Sequence, residues 1–230
     1  MQLSNEQEKQ LAAQTAAQLV QDGMCVGLGT GSTVAWLLPA LAARELQVTC
    51  VASSPATEQA ARALGLPVVS FAGAGAPAQL DIAIDGADQV DPAGWLVKGG
   101  GGAHTREKAV VAAAERFVVI ASSDKLVDRL RAPVPLELLQ FGLTATLVRL
   151  GTVRLREGTP RSPDGGVIAD YTGEVDDPAE LDTRLSKTVG VVEHGLFAPE
   201  LVSEVIVARG TTVERIPVHG EDTRSPSNRP

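Results

Sequence analysis

A lysine and a glutamate stand on either side of four consecutive glycines in the segment VKGGGGAHTREK. Glycine loses more backbone entropy on ordering than any other residue, so such a run needs a purpose. Peptide N–H groups beside Lys98 can stabilise negative charge that develops on oxygen. Burial can raise the pKa of Glu107 toward neutrality, where a carboxylate accepts protons efficiently. The pattern is compatible with proton transfer, but taken by itself the THREK segment favours the alternative, in which Glu107 only stabilises the first turn of a helix.

The loop GLGTGST joins a predicted strand to a predicted helix and carries the hydroxyls of Thr30, Ser32 and Thr33. Helix N-termini present free N–H groups and a positive dipole, which suit a single phosphate. The alternative is a tight turn in which Ser32 or Thr33 is an ordinary N-cap. A dinucleotide fingerprint is disfavoured because Ser32 occupies the place of its third glycine, and no Walker-type GK[ST] follows.

The acidic segment DIAIDGADQVD begins in an apolar strand that ends at Asp85 and continues into a turn. In open α/β sheets, ligands bind at the carboxyl ends of strands, so Asp85 and Asp88 are predicted site residues. Asp81 is expected at the far end of that strand, and Asp91 is expected to be a solvated turn acid. A calcium loop is disfavoured because the twelfth position counted from Asp81 is a proline instead of a glutamate.

Secondary-structure patterns divide the chain into two parts. Ser4 and Gln7 predict a capping box that opens a helix through about Gln21. Short apolar strands then alternate with helices, which is typical of a doubly wound parallel sheet. The predicted strands are MCVGL, VTCVA, PVVSF, LDIAID and FVVIAS. From Pro133 the order becomes β-α-β-β-α-β, the ferredoxin-like unit.

We therefore predict an α/β fold with two domains. Residues 1–131 and 199–218 form a doubly wound, mostly parallel sheet domain, to which the late strands SEVIVARG and TTVERIPV return. Residues 132–198 form a smaller ferredoxin-like α+β domain. The polar residues 219–230 are predicted to be a disordered tail.

Composition limits the possible partners and the compartment. A formal net charge of -8 argues against duplex nucleic acid or an anionic membrane surface. No apolar stretch approaches the roughly 20 residues needed to span a bilayer, so a cytoplasmic setting is expected. Cys25 and Cys50 lie in apolar runs and are predicted to be buried free thiols. A disulfide or metal pair is the disfavoured alternative, because there is no CxxC and no nearby histidine. The three histidines are scattered, so His104 is predicted to be a loop residue and not a catalyst.

Taken in chain order, GLGTGST, DGAD, KGGGGAHTREK and SSDKLVD closely resemble the ribose-5-phosphate isomerase type A family. The likeness extends from the first helix to about residue 215 and includes HGLFA. It implies a doubly wound domain that carries the site and a small ferredoxin-like domain. It also implies interconversion of ribose 5-phosphate and ribulose 5-phosphate in the pentose phosphate pathway, without metal or other cofactor, by a homodimer or homotetramer.

The resemblance assigns roles to matching residues, and from it we predict a proton shuttle through a cis-enediolate. Glu107 would be the proton acceptor, with Asp85 and Lys98 assisting. The earlier glycines of the run are expected to face the ligand, and Gly102 to be the most dispensable. The implied substrate-binding residues are Thr30, Gly31, Ser32, Thr33, Asp85, Gly86, Ala87, Asp88, Lys98, Gly99, Gly100, Gly101, Lys125 and Lys9.

Three other classes of protein remain as alternatives to an isomerase. A sugar-phosphate-sensing domain of a transcription regulator would bind without catalysis, and should accompany a helix-turn-helix segment and a basic patch. An amino-sugar-phosphate deaminase or a sugar lactonase would favour a catalytic histidine in the pocket. A nucleotide-binding α/β domain is disfavoured by Ser32 and by the absence of an acid after the second strand.

Overall fold

The computed structural model describes residues 4–218, so the predicted disordered tail lies outside the described residues. Short 3-10 turns occupy Ser123–Lys125 and Pro199–Leu201. The helices and strands, in chain order, are α1 (Asn5–Ala17), β1 (Cys25–Leu28), α2 (Val34–Ala42), β2 (Thr49–Ala52), α3 (Pro55–Ala63), β3 (Ile82–Gly86), β4 (Gln89–Val90), β5 (Leu96–Val97), α4 (His104–Ala112), β6 (Phe117–Ser122), β7 (Val134–Leu138), α5 (Leu143–Leu150), β8 (Val153–Leu155), β9 (Val167–Tyr171), α6 (Pro178–Ser186), β10 (Val191–His194), β11 (Leu196–Phe197), β12 (Glu204–Arg209) and β13 (Thr212–Pro217).

The main sheet has six strands in the order β13-β12-β6-β3-β1-β2. All neighbours are parallel except the hairpin β12–β13. Helices α1 and α2 pack on one face, and α4 packs on the other through Val110 and Val111. Because both faces are covered, the central strands are continuous apolar runs, and every residue of β6 is buried. The predicted doubly wound, mostly parallel sheet is confirmed.

The second sheet is antiparallel with the order β10-β7-β9-β8. Its elements follow one another as β-α-β-β-α-β, so the predicted ferredoxin-like unit is confirmed. After it, β11 pairs with β5, and the chain returns to the main sheet through β12 and β13. The exact limits of the two domains stay a prediction.

Several sequence-based boundaries were wrong. PVVSF forms only a bridge between Val68 and Cys50, because it lies beyond the edge strand β2 and has no further neighbour. The first helix begins with the predicted capping box but ends at Ala17 instead of near Gln21. The Arg44 guanidinium donates hydrogen bonds to the carbonyl oxygens of Ala17 and Val20 at this end. Strands β4 and β11 were missed, since two residues show no periodicity.

Two further predictions concern the cysteines and the membrane. Both cysteines are free thiols on adjacent strands; Cys50 is buried, whereas Cys25 remains partly exposed. Burial raises the pKa of the Cys50 thiol to about 12. Within residues 4–218, no helix is long and apolar enough to cross a bilayer.

The glycine run connects β5 to α4, and only some of its glycines have a positive φ. Gly99 and Gly102 have φ of +101° and +76°, values that side-chain-bearing residues rarely adopt. A Cβ on Gly99 would lie 2.6 Å from His104 Nδ1, whereas a Cβ on Gly101 would meet nothing within 4 Å. The expectation that Gly102 is the most dispensable glycine is therefore wrong, and Gly101 is the position that tolerates a side chain.

We expect Gly99→Ala to lower the free energy of unfolding by about 1–3 kcal/mol, because it combines positive φ with a clash against the His104 ring. Gly101→Ala is the matched control and should change the free energy of unfolding by less than about 1 kcal/mol. Urea denaturation of both variants measures the difference. Equal effects would contradict the conformational assignment.

Candidate active site

The predicted site residues come from loops at the carboxyl end of the main sheet. The loop after β1, the end of β3 and the 3-10 turn after β6 meet where the strand order reverses between β1 and β3. Such a switch point is the usual ligand crevice of an open α/β sheet. A cavity of about 140 Å³ lies there, lined by Thr30, Gly31, Ser32, Thr33, Gly86, Ala87, Asp88, Lys98, Gly99, Gly100, Gly101, Glu107 and Lys125.

One cation and two carboxylates form a buried cluster at this cavity, which Lys98 and Glu107 line and Asp85 adjoins through Lys98. Lys98 Nζ lies 2.8 Å from Asp85 Oδ2 and 3.3 Å from Glu107 Oε2. The three residues are 3%, 2% and 4% exposed, in the order Lys98, Asp85 and Glu107. With so little water around them, their mutual attraction is far stronger than at a surface. The segments on either side of the glycine run are thus brought together, as the sequence predicted.

Burial changes the protonation of all three groups. It raises the pKa of Glu107 to about 8, against the opposing pull of Lys98. Burial also raises the pKa of Asp85, although Lys98 and the N–H groups of Gly86 and Thr30 oppose it. For Lys98, burial disfavours the charge, but the two carboxylates outweigh burial and raise its pKa. Lys98 therefore stays positive, while the carboxylates compete for a proton.

Hydrogen bonding distinguishes the two carboxylates. Asp85 Oδ1 accepts from the N–H of Gly86 at 2.7 Å and of Thr30 at 3.1 Å. Asp85 Oδ2 and Glu107 Oε2 are both buried and face Lys98 without a hydrogen-bond partner among the described residues, but Glu107 has no backbone donor like those on Asp85 Oδ1. Bonds to the charged form favour ionisation, so Asp85 has the better-supported negative charge. Glu107 is the carboxyl suited to take up and release a proton.

Close backbone approach requires glycine at Gly29 and Gly195. A Cβ on Gly29 would lie 1.9 Å from Asp85 Cγ, and a Cβ on Gly195 would lie 2.1 Å from the Lys98 carbonyl oxygen. The Gly195 carbonyl also accepts from the Lys98 N–H at 2.8 Å. Gly195 belongs to HGLFA, so this segment fixes the main chain that carries Lys98. The sequence analysis had assigned no role to HGLFA.

In the loop GLGTGST, called here the hydroxyl loop, the free side-chain hydroxyls are better explained by ligand binding than by ordinary helix capping. Thr33, the N-cap of α2, makes no side-chain capping hydrogen bond. Thr30 Oγ1 is engaged by the hydroxyls of Ser53 at 2.8 Å and Thr57 at 3.1 Å. The hydroxyls of Ser32 and Thr33 are therefore the ones placed to bind at the cavity. Lys125, partly exposed, supplies a nearby cation.

The other acidic residues serve the backbone. Asp88 Oδ2 accepts from the Gly100 N–H at 2.8 Å, so it holds the glycine run beside the cavity. Asp81 accepts from the Cys25 N–H at the far end of β3, as predicted. Asp91 accepts from the N–H groups of Ala93 and Trp95 and so closes a turn.

Two residues of the N-terminal helix concern the site: Lys9, which the sequence predicted, and Glu8, which it did not. Lys9 Nζ pairs with Glu6 at 2.6 Å and is not among the residues that line the cavity. Its neighbour Glu8 is buried and accepts from the Ser123 N–H at 2.9 Å and from the Gly210 N–H at 2.7 Å. Glu8 thereby fixes the turn that carries Lys125. The role of Lys9 stays a prediction.

His104 is not a loop residue, contrary to expectation. It is the first residue of α4 and is fully buried, and neither ring nitrogen has a hydrogen-bond partner among the described residues. Burial lowers its pKa to about 4, with Lys108 adding to the effect. The ring packs against Gly99 and is not part of the cavity lining.

Metal ligation has no evident place in the described part of the chain. Among residues 4–218, no group of three or more His, Cys, Asp or Glu side chains is arranged to hold a metal ion. The expectation of a reaction without metal stays a prediction.

Comparisons with known proteins agree with this geometry. The family model for ribose 5-phosphate isomerase A (phosphoriboisomerase A) matches residues 49–212. A model for the DeoR C terminal sensor domain matches the shorter stretch 4–79. Ribose-5-phosphate isomerase A of Gluconobacter oxydans is 42% identical, and the match covers 90% of this chain and 94% of that protein. The Synechococcus protein of the same name is also 42% identical, with 93% and 98% covered.

Solved structures extend the comparison to the fold. Ribose 5 phosphate isomerase A from Neisseria gonorrhoeae has a TM-score of 0.89 at 31% identity, covering 96% of this chain and all of the other. A D-ribose-5-phosphate isomerase in complex with phospho-erythronic acid has a TM-score of 0.86 at 32% identity, with 94% and 100% covered. The family model and these relatives span most of the molecule, and the chain belongs to the ribose 5-phosphate isomerase A family.

Proposed function

We propose that this protein interconverts D-ribose 5-phosphate and D-ribulose 5-phosphate by a proton shuttle through a cis-enediolate. The observation that carries the proposal is the buried cluster of Lys98 between Asp85 and Glu107, at the cavity where the glycine run ends. Membership of the isomerase family supports the substrate pair.

In the proposed reaction, Glu107 removes the proton from C2 of the open-chain aldose. The electron pair of that C–H bond forms the C1–C2 double bond, and the C1 oxygen becomes negatively charged. Lys98 and N–H groups of the glycine run stabilise this charge. Asp85, in contact with Lys98, assists proton transfer between the C1 and C2 oxygens, while Asp88 positions hydroxyls. Glu107 then returns its proton to C1, which completes the ketose.

Phosphate recognition supplies binding energy away from the reacting carbons. We assign this role to residues 30–33 at the N-terminus of α2, with Lys125 and, less directly, Lys9. A helix N-terminus with free hydroxyls suits a phosphate group. Fixing the phosphate holds the sugar in reactive geometry, so remote binding energy lowers the barrier to proton transfer.

A sensor domain is the second candidate, because residues 4–79 match a sensor-domain model. That stretch contains the hydroxyl loop but neither Lys98 nor Glu107. Burying a cation and two carboxylates is costly, and binding a phosphate does not require it. The buried cluster therefore favours an enzyme.

We further propose that the enzyme is cytoplasmic and assembles as a homodimer or homotetramer. Two free thiols suit a reducing compartment. Exposed apolar side chains on and just before helix α5 of the small domain, including Phe141 at 94% and Val148 at 78%, offer surface that a second copy would cover.

The decisive experiment is incubation with ribose 5-phosphate in D₂O, followed by NMR. We expect ribulose 5-phosphate to form, with deuterium entering at the exchanging carbon, because Glu107 exchanges its proton with solvent during the shuttle. EDTA should leave the rate unchanged. Phosphate-dependent binding without turnover would favour the sensor, and activity abolished by EDTA and restored by a divalent metal would refute the metal-free mechanism.

Glu107→Gln should lower kcat by about 10²–10⁴-fold, the contribution typical of a general base. Its melting temperature at pH 8 should not fall, since the amide removes a buried negative charge while Asp85 still compensates Lys98. Glu180→Gln is the matched control, because Glu180 also lies in the first turn of a helix but is exposed on α6. Glu107→Gln with more than a tenth of wild-type kcat would remove the assigned base.

The pH dependence follows from the raised pKa of Glu107. The carboxylate form is the base, so kcat/KM should fall as the pH drops through the pKa of about 8. The acid limb of the pH profile reports Glu107 together with Asp85 and Lys98, so its midpoint is an apparent pKa of the whole cluster. Rate profiles between pH 5 and 10 measure it. An acid limb only near the second phosphate pKa of about 6 would assign it to the substrate and contradict the prediction.

A further inference from the structure

A side chain of the small sheet reaches the glycine run. Arg156 directly follows β8, and its Nη1 lies 2.8 Å from the Gly100 carbonyl oxygen and 3.1 Å from that of Gly99. Its Nε and Nη2 bind the two carboxylate oxygens of Asp170 on β9 at 2.9 and 2.7 Å. Asp170 is buried, so the guanidinium is held between a fixed carboxylate and two peptide carbonyls.

Peptide geometry gives these contacts a consequence on the opposite side of the run. In a trans peptide the C=O and the following N–H point in opposite directions, and the only cis bond among the described residues is Ala132–Pro133. Holding the carbonyls of Gly99 and Gly100 therefore turns the N–H groups of Gly100 and Gly101 away from Arg156. The Gly100 N–H donates to Asp88, which lines the cavity.

The Gly101 N–H remains available to a ligand. It makes no hydrogen bond within residues 4–218, while Gly101 itself lines the cavity. A negatively charged oxygen in the cavity would find this donor beside Lys98. Oriented donors of this kind are effective because they need no reorganisation when charge develops.

Glycines do not hold such an orientation by themselves, because each samples more backbone conformations than other residues. A clamp must come from outside the run. The planar fork of arginine fits this task, since it binds a carboxylate with two N–H groups and still has others for carbonyls. The ammonium group of a lysine at the same position is a compact charge on a flexible stem and lacks this fixed planar geometry.

We propose that Arg156, oriented by Asp170, is a positioning residue that holds the Gly100 N–H on Asp88 and aims the Gly101 N–H at the developing negative charge of the substrate. The small sheet thereby takes part in the isomerisation, although it contributes no residue to the cavity lining. The inference rests on the proposed isomerase function.

Arg106 provides a matched comparison, because it makes the same kind of bond without touching the glycine run. Its Nε and Nη2 bind Asp164 at 2.7 Å each, so this pair connects α4 to the small domain. Both side chains of that pair are exposed, at 38% and 49%. Exposed ion pairs contribute little to stability, so Arg106→Lys is a control for loss of an arginine fork alone.

The first test compares the steady-state kinetics of Arg156→Lys, Arg106→Lys and the wild type, with melting temperatures above the assay temperature for all three. We expect Arg156→Lys to lower kcat about 10- to 100-fold and to change KM less than about threefold, since the donors act mainly in the transition state. Arg106→Lys should keep kcat within about twofold. Unchanged kcat in Arg156→Lys, or equal losses in both variants, would overturn the proposal.

The second test measures binding and does not depend on turnover. Phospho-erythronic acid carries a carboxylate at the end remote from its phosphate, so its affinity reports the donors, while inorganic phosphate reports the hydroxyl loop. Arg156→Lys should weaken phospho-erythronic acid about tenfold or more and leave phosphate within about twofold. Equal affinity of the variant and the wild type for both probes would overturn the proposal.

These measurements separate the two levels of inference. A wild type that does not isomerise ribose 5-phosphate refutes the proposed function, and the binding comparison still decides the role of Arg156. Should Arg156→Lys fail to fold, Asp170→Asn replaces it, since the amide keeps the size but binds the guanidinium less firmly. Asp170→Asn should lower kcat in the same direction, and an unchanged kcat would overturn the proposal.

Discussion

The burial of Lys98 between two carboxylates is the interaction on which the rest of the site depends. A charge removed from water is tolerated only when partners surround it, and breaking such a set leaves an uncompensated charge. Three separate segments supply what Lys98 needs: Asp85 is the penultimate residue of β3, Glu107 lies in α4, and Gly195 precedes β11 and hydrogen-bonds to the Lys98 main chain. The pairing of β11 with β5 therefore has a chemical purpose as well as a structural one.

The two sheets share the task of holding Glu107. In the TREK segment, Thr105 donates to the buried Glu137 on β7, and Lys108 Nζ lies 2.7 Å from Glu193 on β10. These neighbours turn toward the small sheet, while Glu107 turns toward Lys98. Because α4 packs on the main sheet and is held to the small one by these buried and half-buried polar contacts, the base has little freedom to leave its position.

Local patterns named most of the residues that the structure brings to one cavity, because each segment carries its polar groups in adjacent positions. The hydroxyl loop, the end of β3 and the residues on either side of the glycine run could be assigned to one cavity by strand polarity and family resemblance. Arg156 and Glu8 could not, since their partners lie 56 and 115 positions away in the chain. His104 was misplaced because a loop of glycines hides where the next helix begins. Short strands such as β4 and β11 exist only through their pairing partners and leave no periodic pattern.

The raised pKa of Glu107 links catalysis to stability. An unfolded glutamate titrates near its ordinary value of 4.5, whereas the folded chain keeps the proton up to about pH 8. Between these values the folded state binds more protons than the unfolded state, so stability falls as the pH rises through this window and levels off above it. The ionised base therefore costs folding free energy at the pH where it acts. Lys98 offsets part of this cost, and the apolar core beneath the sheet must supply the rest, which is the usual price of an activated group in a dry site.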